Sequence, residues 1–283
     1  MTPSCRSWVV VLALLFVPTL TVPSAVLAQD ALQAPAVSLS PAEMRRFLAE
    51  AEIGRTRRIG KGVTEAQVAT LSDGRVTHDA QIQAVDIARN FFEAGNKSEI
   101  NFRDSYKYNI AAYELARLIG MTNVPMSVER QVGGDPAAVT WWLDDVLMHE
   151  QERTNRKIKG PDQVGFTQQV QTMYLFDELI QNVDRNQENI LWDSDWHLWL
   201  IDHTRSFRLG KELKNPKQLA WCDRATLKGL GDLTEEALRD AVGRNLTQRE
   251  LEAVMARRDL LMQHFDALIA ERGEGTVMFG FVP

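Results

Sequence analysis

Residues 182–207 read NVDRNQENILWDSDWHLWLIDHTRSF, and no other stretch of the chain carries comparable chemistry. Asp184 and Asn189 fall in one tight polar loop. A short apolar run follows, then a turn at Asp193-Ser194-Asp195, then a second apolar run that ends at Asp202. This pattern predicts a hairpin of two short strands over Trp192–Ile201. Three oxygen-bearing side chains then converge at the strand ends. One carboxylate able to take a proton, beside an amide and a second carboxylate able to hold a divalent cation, is the donor set that phosphoryl transfer uses. Plainer readings of the same residues are a capped turn or a loose calcium loop. The calcium reading is weak, because the sixth position is Asn189 where such loops need glycine.

Working outward, Phe166, Val170, Met173, Phe176 and Ile180 recur at helical spacing, so the hairpin is fed by a helix with a core face. Downstream, helices are expected from Thr234 and from Thr247, the last carrying Leu251, Met255, Leu261, Phe265 and Leu268 on one side. His149-Glu150-Gln151-Glu152-Arg153 lacks the second histidine of a zinc protease and reads as a solvated helix face.

The first half looks different. Ser40-Pro41-Ala42-Glu43 has capping-box spacing with proline at the first helical position, and predicts a helix to about Ala51. From Ile53 to Val85, β-prone runs broken by Gly60-Lys61-Gly62 and Ser72-Asp73-Gly74 predict an antiparallel meander. Glu93 to Asp104 reads as a polar loop. Ser105 to Gly120 reads as a helix with Ile110, Tyr113, Leu115 and Leu118 on its apolar side. Val124–Arg130 and Ala137–Leu143 read as strands around Gly133-Gly134-Asp135-Pro136. The expected fold class is therefore α+β and two-lobed: a β-rich N-lobe over residues 41–143 and a mainly helical C-lobe over 144–283. A crevice between two such lobes is a natural ligand site.

The 283-residue chain opens with an apolar run, Val9–Val22, behind Arg6, followed by small residues up to Ala28. Residues 1–28 read as a secretory signal peptide, which predicts a periplasmic or secreted protein. The run is short for a spanning helix, which needs about 20 residues. No later segment is apolar enough to cross a bilayer. Residues 29–40 form an Ala/Pro/Gln-rich lead-in expected to be disordered. With 32 basic and 38 acidic residues the net charge is −6, which argues against a nucleic-acid partner. Cys5 leaves with the signal peptide. Cys222 then stands alone as a buried thiol, so the protein must be held by its core.

The pattern Asn-x-Asp-Arg-x-x-x-Asn at 182–189, followed by Ile-Asp-His at 201–203, resembles the atypical kinases. These comprise the phosphatidylinositol 3-/4-kinase-like, HipA-like and secretory-pathway kinases. Ala111–Leu115, Leu118–Gly120, Val124-Pro125 and Val128–Arg130 look like the helix-to-strand passage of the same superfamily. The resemblance implies ATP with Mg²⁺ or Mn²⁺ in the cleft, and transfer to a protein or small-molecule hydroxyl. By it, Asp184 is the base, and Asn189 and Asp202 are metal ligands. Gly60, Lys61 and Gly62 cover the phosphates, although Gly-x-Gly alone is more often an ordinary turn. Trp142 lies at the hinge beside adenine. His203 either orients Asp202 or caps the strand.

Two departures from the family pattern bear on activity. Gln83 occupies the position of the phosphate-binding lysine, and Asn109 that of its glutamate partner. These amides are able to hydrogen-bond one another but bring no cation, leaving Lys61, Lys97 or Lys107 to substitute. The sequence thus supports a kinase, a pseudokinase acting as a binding module, or an enzyme that transfers a nucleotidyl group.

Overall fold

The computed structural model describes residues 39–59, 66–94 and 97–280. The expected signal peptide, nearly all of the lead-in, and Gly60, Lys61 and Gly62 lie outside the described residues.

Helix α1 (Pro41–Glu50) starts on the expected capping box, with Ser40 and Glu43 exchanging side-chain and backbone hydrogen bonds. The meander follows as β1 (Glu52–Arg58), β2 (Gln67–Ser72) and β3 (Thr77–Gln83). Strands β4 (Asp86–Ala94) and β5 (Lys97–Ser105) pair antiparallel as a separate two-stranded sheet. Here the structure corrects the loop expected over Glu93–Asp104. The strand was obscured because most of its side chains are polar, while Phe102 is buried and stacks on Phe92 at 4.1 Å.

Helix α2 (Lys107–Leu118) packs on β6 (Ser127–Val132) and β7 (Asp135–Trp141) through Ala111, Ala112, Leu115 and Ala116, all buried. Gly120, at φ +81°, ends the helical passage in a backbone region that favours glycine. The main sheet has the order β1-β2-β3-β7-β6. Its register sets Gln83 opposite Ala138 and Ala80 opposite Trp141, so β3 is a central strand with both edges paired.

The chain after Asp145 does not turn helical at once. It forms β8 (Val146–His149), then α3 (Glu150–Asn155) and α4 (Gln163–Ile180). The expected hairpin is β9 (Ile190–Asp193) and β10 (Leu198–Leu200), and β8 completes a sheet of order β10-β9-β8. The α3 face is not simply solvated: Glu150 accepts from Trp192 Nε1 at 2.8 Å and pairs with Arg153, whose guanidinium lies over Phe166.

Strand β11 (Cys222–Asp223) leads into α5 (Arg224–Asp232), α6 (Glu235–Val242) and α7 (Gln248–Arg272), followed by α8 (Glu274–Val277) and β12 (Met278–Phe279). Thr234 and Thr247 cap α6 and α7 as expected. Helix α5 crosses the end of α2 so closely that a Cβ on Gly229 would sit 2.5 Å from the Ile119 carbonyl oxygen. Phe176 and Leu179 of α4 and Val254, Leu261 and Phe265 of α7 belong to one continuous core. Cys222 is buried in that core, and burial pushes its thiol far above the ordinary range. No described helix is long and apolar enough to cross a membrane.

Candidate functional site

The loop that carries Asp184 is built by one arginine. Arg185 reaches back to α4, where its Nε sits 3.0 Å from Asp177 Oδ2. Its Nη1 donates to the carbonyls of Asn189 (3.1 Å) and Ile201 (2.8 Å). One guanidinium therefore fixes three things together: the end of α4, the start of β9 and the residue before Asp202. Both charges are largely buried, so the carbonyl bonds are needed to offset their desolvation. The loop also closes on itself. Asn182 Oδ1 accepts from the Asp184 N–H at 2.9 Å, and Asn189 Nδ2 donates to the Asp184 carbonyl at 3.4 Å. Asp184 and Asn189 thus share one turn, and the Ile201 N–H bonds the Asn189 carbonyl at 3.2 Å.

Asp202 follows in the left-handed region, at φ +52°. Aspartate tolerates that backbone better than most residues, and neighbours hold it there. Thr204 Oγ1 donates to Asp202 Oδ1 at 2.9 Å, and the His203 N–H donates to Asn109 Oδ1 at 2.7 Å. The His203 ring does not orient Asp202. It is buried edge-on to Phe176, with Nε2 lacking a hydrogen-bond partner among the described residues. Burial, then the Arg185 charge, holds its pKa well below the ordinary histidine value, so the ring is a neutral core element.

Asn109 Nδ2 donates to Gln83 Oε1 at 2.7 Å, and both residues are buried. The hydrogen bond expected between these two amides is therefore formed. Lys107 does not stand in for the lysine: its Nζ pairs with Asp86 at 2.8 Å and lies over the Tyr106 ring. Lys61 and the side chain of Lys97 lie outside the described residues. Trp142, expected at a hinge, follows β7; its backbone N–H bonds the Asp79 carbonyl at 3.2 Å and its ring lies under Arg57. Between Gln81, Ser127, Thr140 and Asp202 the inner cleft leaves a cavity of about 10 Å³, room for a single water molecule.

One functional candidate was missed in the sequence. Asp104, at the end of β5, is buried, and its Oδ1 has no hydrogen-bond partner among the described residues. Burial raises its pKa; a hydrogen bond from Thr204 opposes this, the Asp202 charge raises it further, Arg205 lowers it, and Asp184 adds to the rise. Asp104 on β5 thus feels the charges of Asp202, two residues past the end of β10, and of Asp184 on the polar loop. Its only sequence signal was the alternation Ile100-x-Phe102-x-Asp104, hidden in a stretch that reads as polar loop.

Among the described residues, no group of three or more His, Cys, Asp or Glu side chains is disposed to hold a metal ion by itself. The donors present nevertheless suit a hard cation. Asp202, Asn189 and Asp104 offer oxygen only, and the orphaned Asp104 oxygen lies in a site with excess negative charge. Magnesium-like ions at nucleotide sites take one or two carboxylates and complete their shell with phosphates and water.

No family model matches the chain, and no curated protein matches it in sequence. Solved structures do match. The structure of hydra Fam20 with sugar aligns at TM-score 0.64 and 16% identity, covering 84% of this chain and 92% of that one. The fold is that of the secretory-pathway kinases. The Golgi casein kinase with Mn/ADP bound aligns at TM-score 0.63 and 15% identity, covering 84% and 78% of the two chains. The Helicobacter pylori proinflammatory kinase CtkA aligns at 0.53 and 7% identity, over 80% and 98%. In the frame of this kinase fold, β1–β3 and β6–β7 with α2 make the β-rich lobe. Asp184, Asn189 and Asp202 lie on the polar loop and hairpin of the lobe that follows.

Proposed function

We propose that this chain is an exported kinase that binds ATP with Mg²⁺ or Mn²⁺ and transfers a phosphoryl group to a hydroxyl of a protein or small molecule. The observation that carries the reading is that a kinase fold sets Asp184 and Asn189 on one polar turn beside the segment of Asp202, with the buried Asp104 next to them through the Ser105 N–H bond to the Thr204 carbonyl at 2.9 Å, and with one Asp104 oxygen lacking a hydrogen-bond partner among the described residues. The Mn/ADP bound to the Golgi casein kinase supports the choice of ligand. Asp202, Asn189 and Asp104 would hold the metal. Bound metal would neutralise charge on the phosphates. Asp184 would take the proton of the acceptor hydroxyl as its oxygen attacks. Arg185 positions this set without touching the ligand.

The Gln83–Asn109 pair favours a second reading, a pseudokinase that binds nucleotide or a partner without turnover. An amide pair gives the phosphates no cation, and the loss of a pre-placed charge lowers transition-state stabilisation. Transfer of a nucleotidyl group is the third outcome to be tested.

The experiment is a thermal-shift titration of the chain beginning at Gln29, followed by transfer assays with γ- and α-labelled ATP. ATP is expected to raise the Tm only with Mn²⁺ or Mg²⁺ present, and Asp202→Ala to remove that rise. γ-Label transfer that Asp184→Asn abolishes supports the kinase. Nucleotide binding without transfer leaves the pseudokinase, and α-label transfer the nucleotidyl reaction. No metal-dependent shift in the parent overturns the kinase and nucleotidyl readings and leaves only a pseudokinase that engages a partner. Terminal sequencing of the natively produced protein tests export, which requires a start at Gln29.

A further inference from the structure

A large cavity lies outside the cleft. It measures about 800 Å³ and is enclosed by β4–β5, the start of α2, the segment after Phe207 and the α6–α7 corner. Its lining is strongly basic for a protein whose net charge is −6. Arg103, Lys107, Arg208, Lys214, Arg244 and Arg249 face two carboxylates, Asp86 and Glu250. Both carboxylates are already engaged. Asp86 accepts from Ser105 Oγ at 2.9 Å and from Lys107, and Glu250 accepts from the Tyr108 hydroxyl and caps α7 through Thr247.

The cations are only partly matched. Among the described residues, Arg103, Arg244 and Arg249 have no carboxylate partner. Arg208 pairs with Glu99, but its Nη1 is buried without a hydrogen-bond partner. Cations gathered around one concavity, at a cost in mutual repulsion, mark a site that an anion completes. Arginine forks match the geometry of phosphate oxygens, and the volume is that of a small-molecule site.

The hairpin is a shared wall. Successive β-strand residues point to opposite faces. Arg103 lines the cavity, while Asp104 senses Asp202 and Asp184. The cavity and the cleft are thus back to back across β5.

We propose that this basic cavity is a second ligand site, for a compact molecule bearing two or more phosphate groups. It is separate from the nucleotide cleft and needs no divalent metal. The Glu99 carboxylate competes with that ligand for Arg208.

The test is calorimetric titration of the chain beginning at Gln29 with tripolyphosphate in the presence of EDTA. The parent and Asp202→Ala are expected to bind equally, because the cleft is not involved. Arg244→Gln with Arg249→Gln is expected to weaken binding by about tenfold or more, from two charge-assisted contacts. Arg103→Gln with Lys214→Gln removes cations at other parts of the lining and is expected to give a similar loss. It serves as the probe should the first pair fail to fold. No binding by the parent, undiminished binding by the folded cavity variants, or loss of binding in Asp202→Ala each overturns the proposal. The metal-dependent ATP shift of the Arg244/Arg249 variant is read separately. Its retention shows that a failure here is not a failure of the kinase reading.

Discussion

Asn109 donates to Gln83 at 2.7 Å and, through its other amide atom, accepts the N–H of His203 at 2.7 Å. Helix α2 is thereby tied to β3 on one side and to the peptide that follows Asp202 on the other. Helix, strand and the segment after Asp202 are thus linked by neutral groups. Neutral amides avoid the desolvation cost of a buried pair, and they surrender the cation that would meet a phosphate.

The two positions should therefore respond as a unit. Gln83→Lys alone places an ammonium at a site only 3% exposed, where Asn109 offers it an amide and no charge. It is expected to cost about 3 kcal/mol in denaturant unfolding, in line with other uncompensated buried charges. Adding Asn109→Glu should recover most of that loss and strengthen ATP binding, since the acceptor for the His203 N–H is retained. A double variant no more stable than the single one would show that the site does not accept the ion pair.

Much of this was legible beforehand for a physical reason. Capping residues such as Ser40, Thr234 and Thr247, and the apolar spacing of Phe166 to Ile180, act locally, so sequence reports them directly. The β9–β10 hairpin was readable because its turn residues and apolar runs are contiguous. Strand β5 was not. Its exposed residues match a loop, and what makes it a strand is pairing with β4 and the contact of Phe102 with Phe92 and Arg205. Asp104 was lost with it, because its role depends on Asp202, nearly a hundred positions away. The 800 Å³ basic cavity was invisible for the same reason, being assembled from four separated segments.

His203 gives the protein an acid-sensitive core. The folded state keeps the ring neutral, while the unfolded chain takes up a proton below its ordinary value of 6.5. The unfolded state then binds more protons, so stability falls as pH drops through that value, by up to about 1.4 kcal/mol per pH unit. Between pH 6.5 and 5, His203→Phe should flatten the fall, since phenylalanine packs against Phe176 and has no proton to gain. Urea midpoints at several pH values measure this. An equal slope in both proteins would place the sensitivity elsewhere.

Arg185 should be costly to remove although it touches no ligand. Arg185→Met strands Asp177, whose side chain is only 13% exposed, and frees the carbonyls of Asn189 and Ile201. A loss of about 3 kcal/mol or more is expected, with the metal-dependent ATP shift reduced because Asp184 and Asp202 lose their common anchor. Asp177→Asn in the same chain should return part of the stability and none of the ATP response. Recovery of both would mean that the carbonyl contacts do not position the site.

Asp104 offers the most discriminating substitution, because its two expected effects have opposite signs. Without metal, its carboxylate is buried, has an oxygen without a hydrogen-bond partner among the described residues, and faces the charges of Asp202 and Asp184. Its folded pKa is raised, so the folded state binds more protons over the interval above the ordinary aspartate value. Its contribution to stability therefore falls as pH rises through that interval. Asp104→Asn removes the charge at nearly constant volume. In EDTA at neutral pH it should stabilise the protein by about 1 kcal/mol, the scale of a buried unsatisfied polar group, or about 2–4 °C in Tm for a domain of this size. With Mn²⁺ and ATP the order should reverse, since the parent gains a ligand that the variant has lost. The same logic makes metal affinity in the parent fall as the pH is lowered into the range where Asp104 takes up its proton, and this acid weakening should be smaller in Asp104→Asn. A lower Tm for the variant in EDTA would make Asp104 a structural residue. A metal-dependent gain equal to the parent's would remove it from the metal site and leave Asp202 and Asn189 to carry that role.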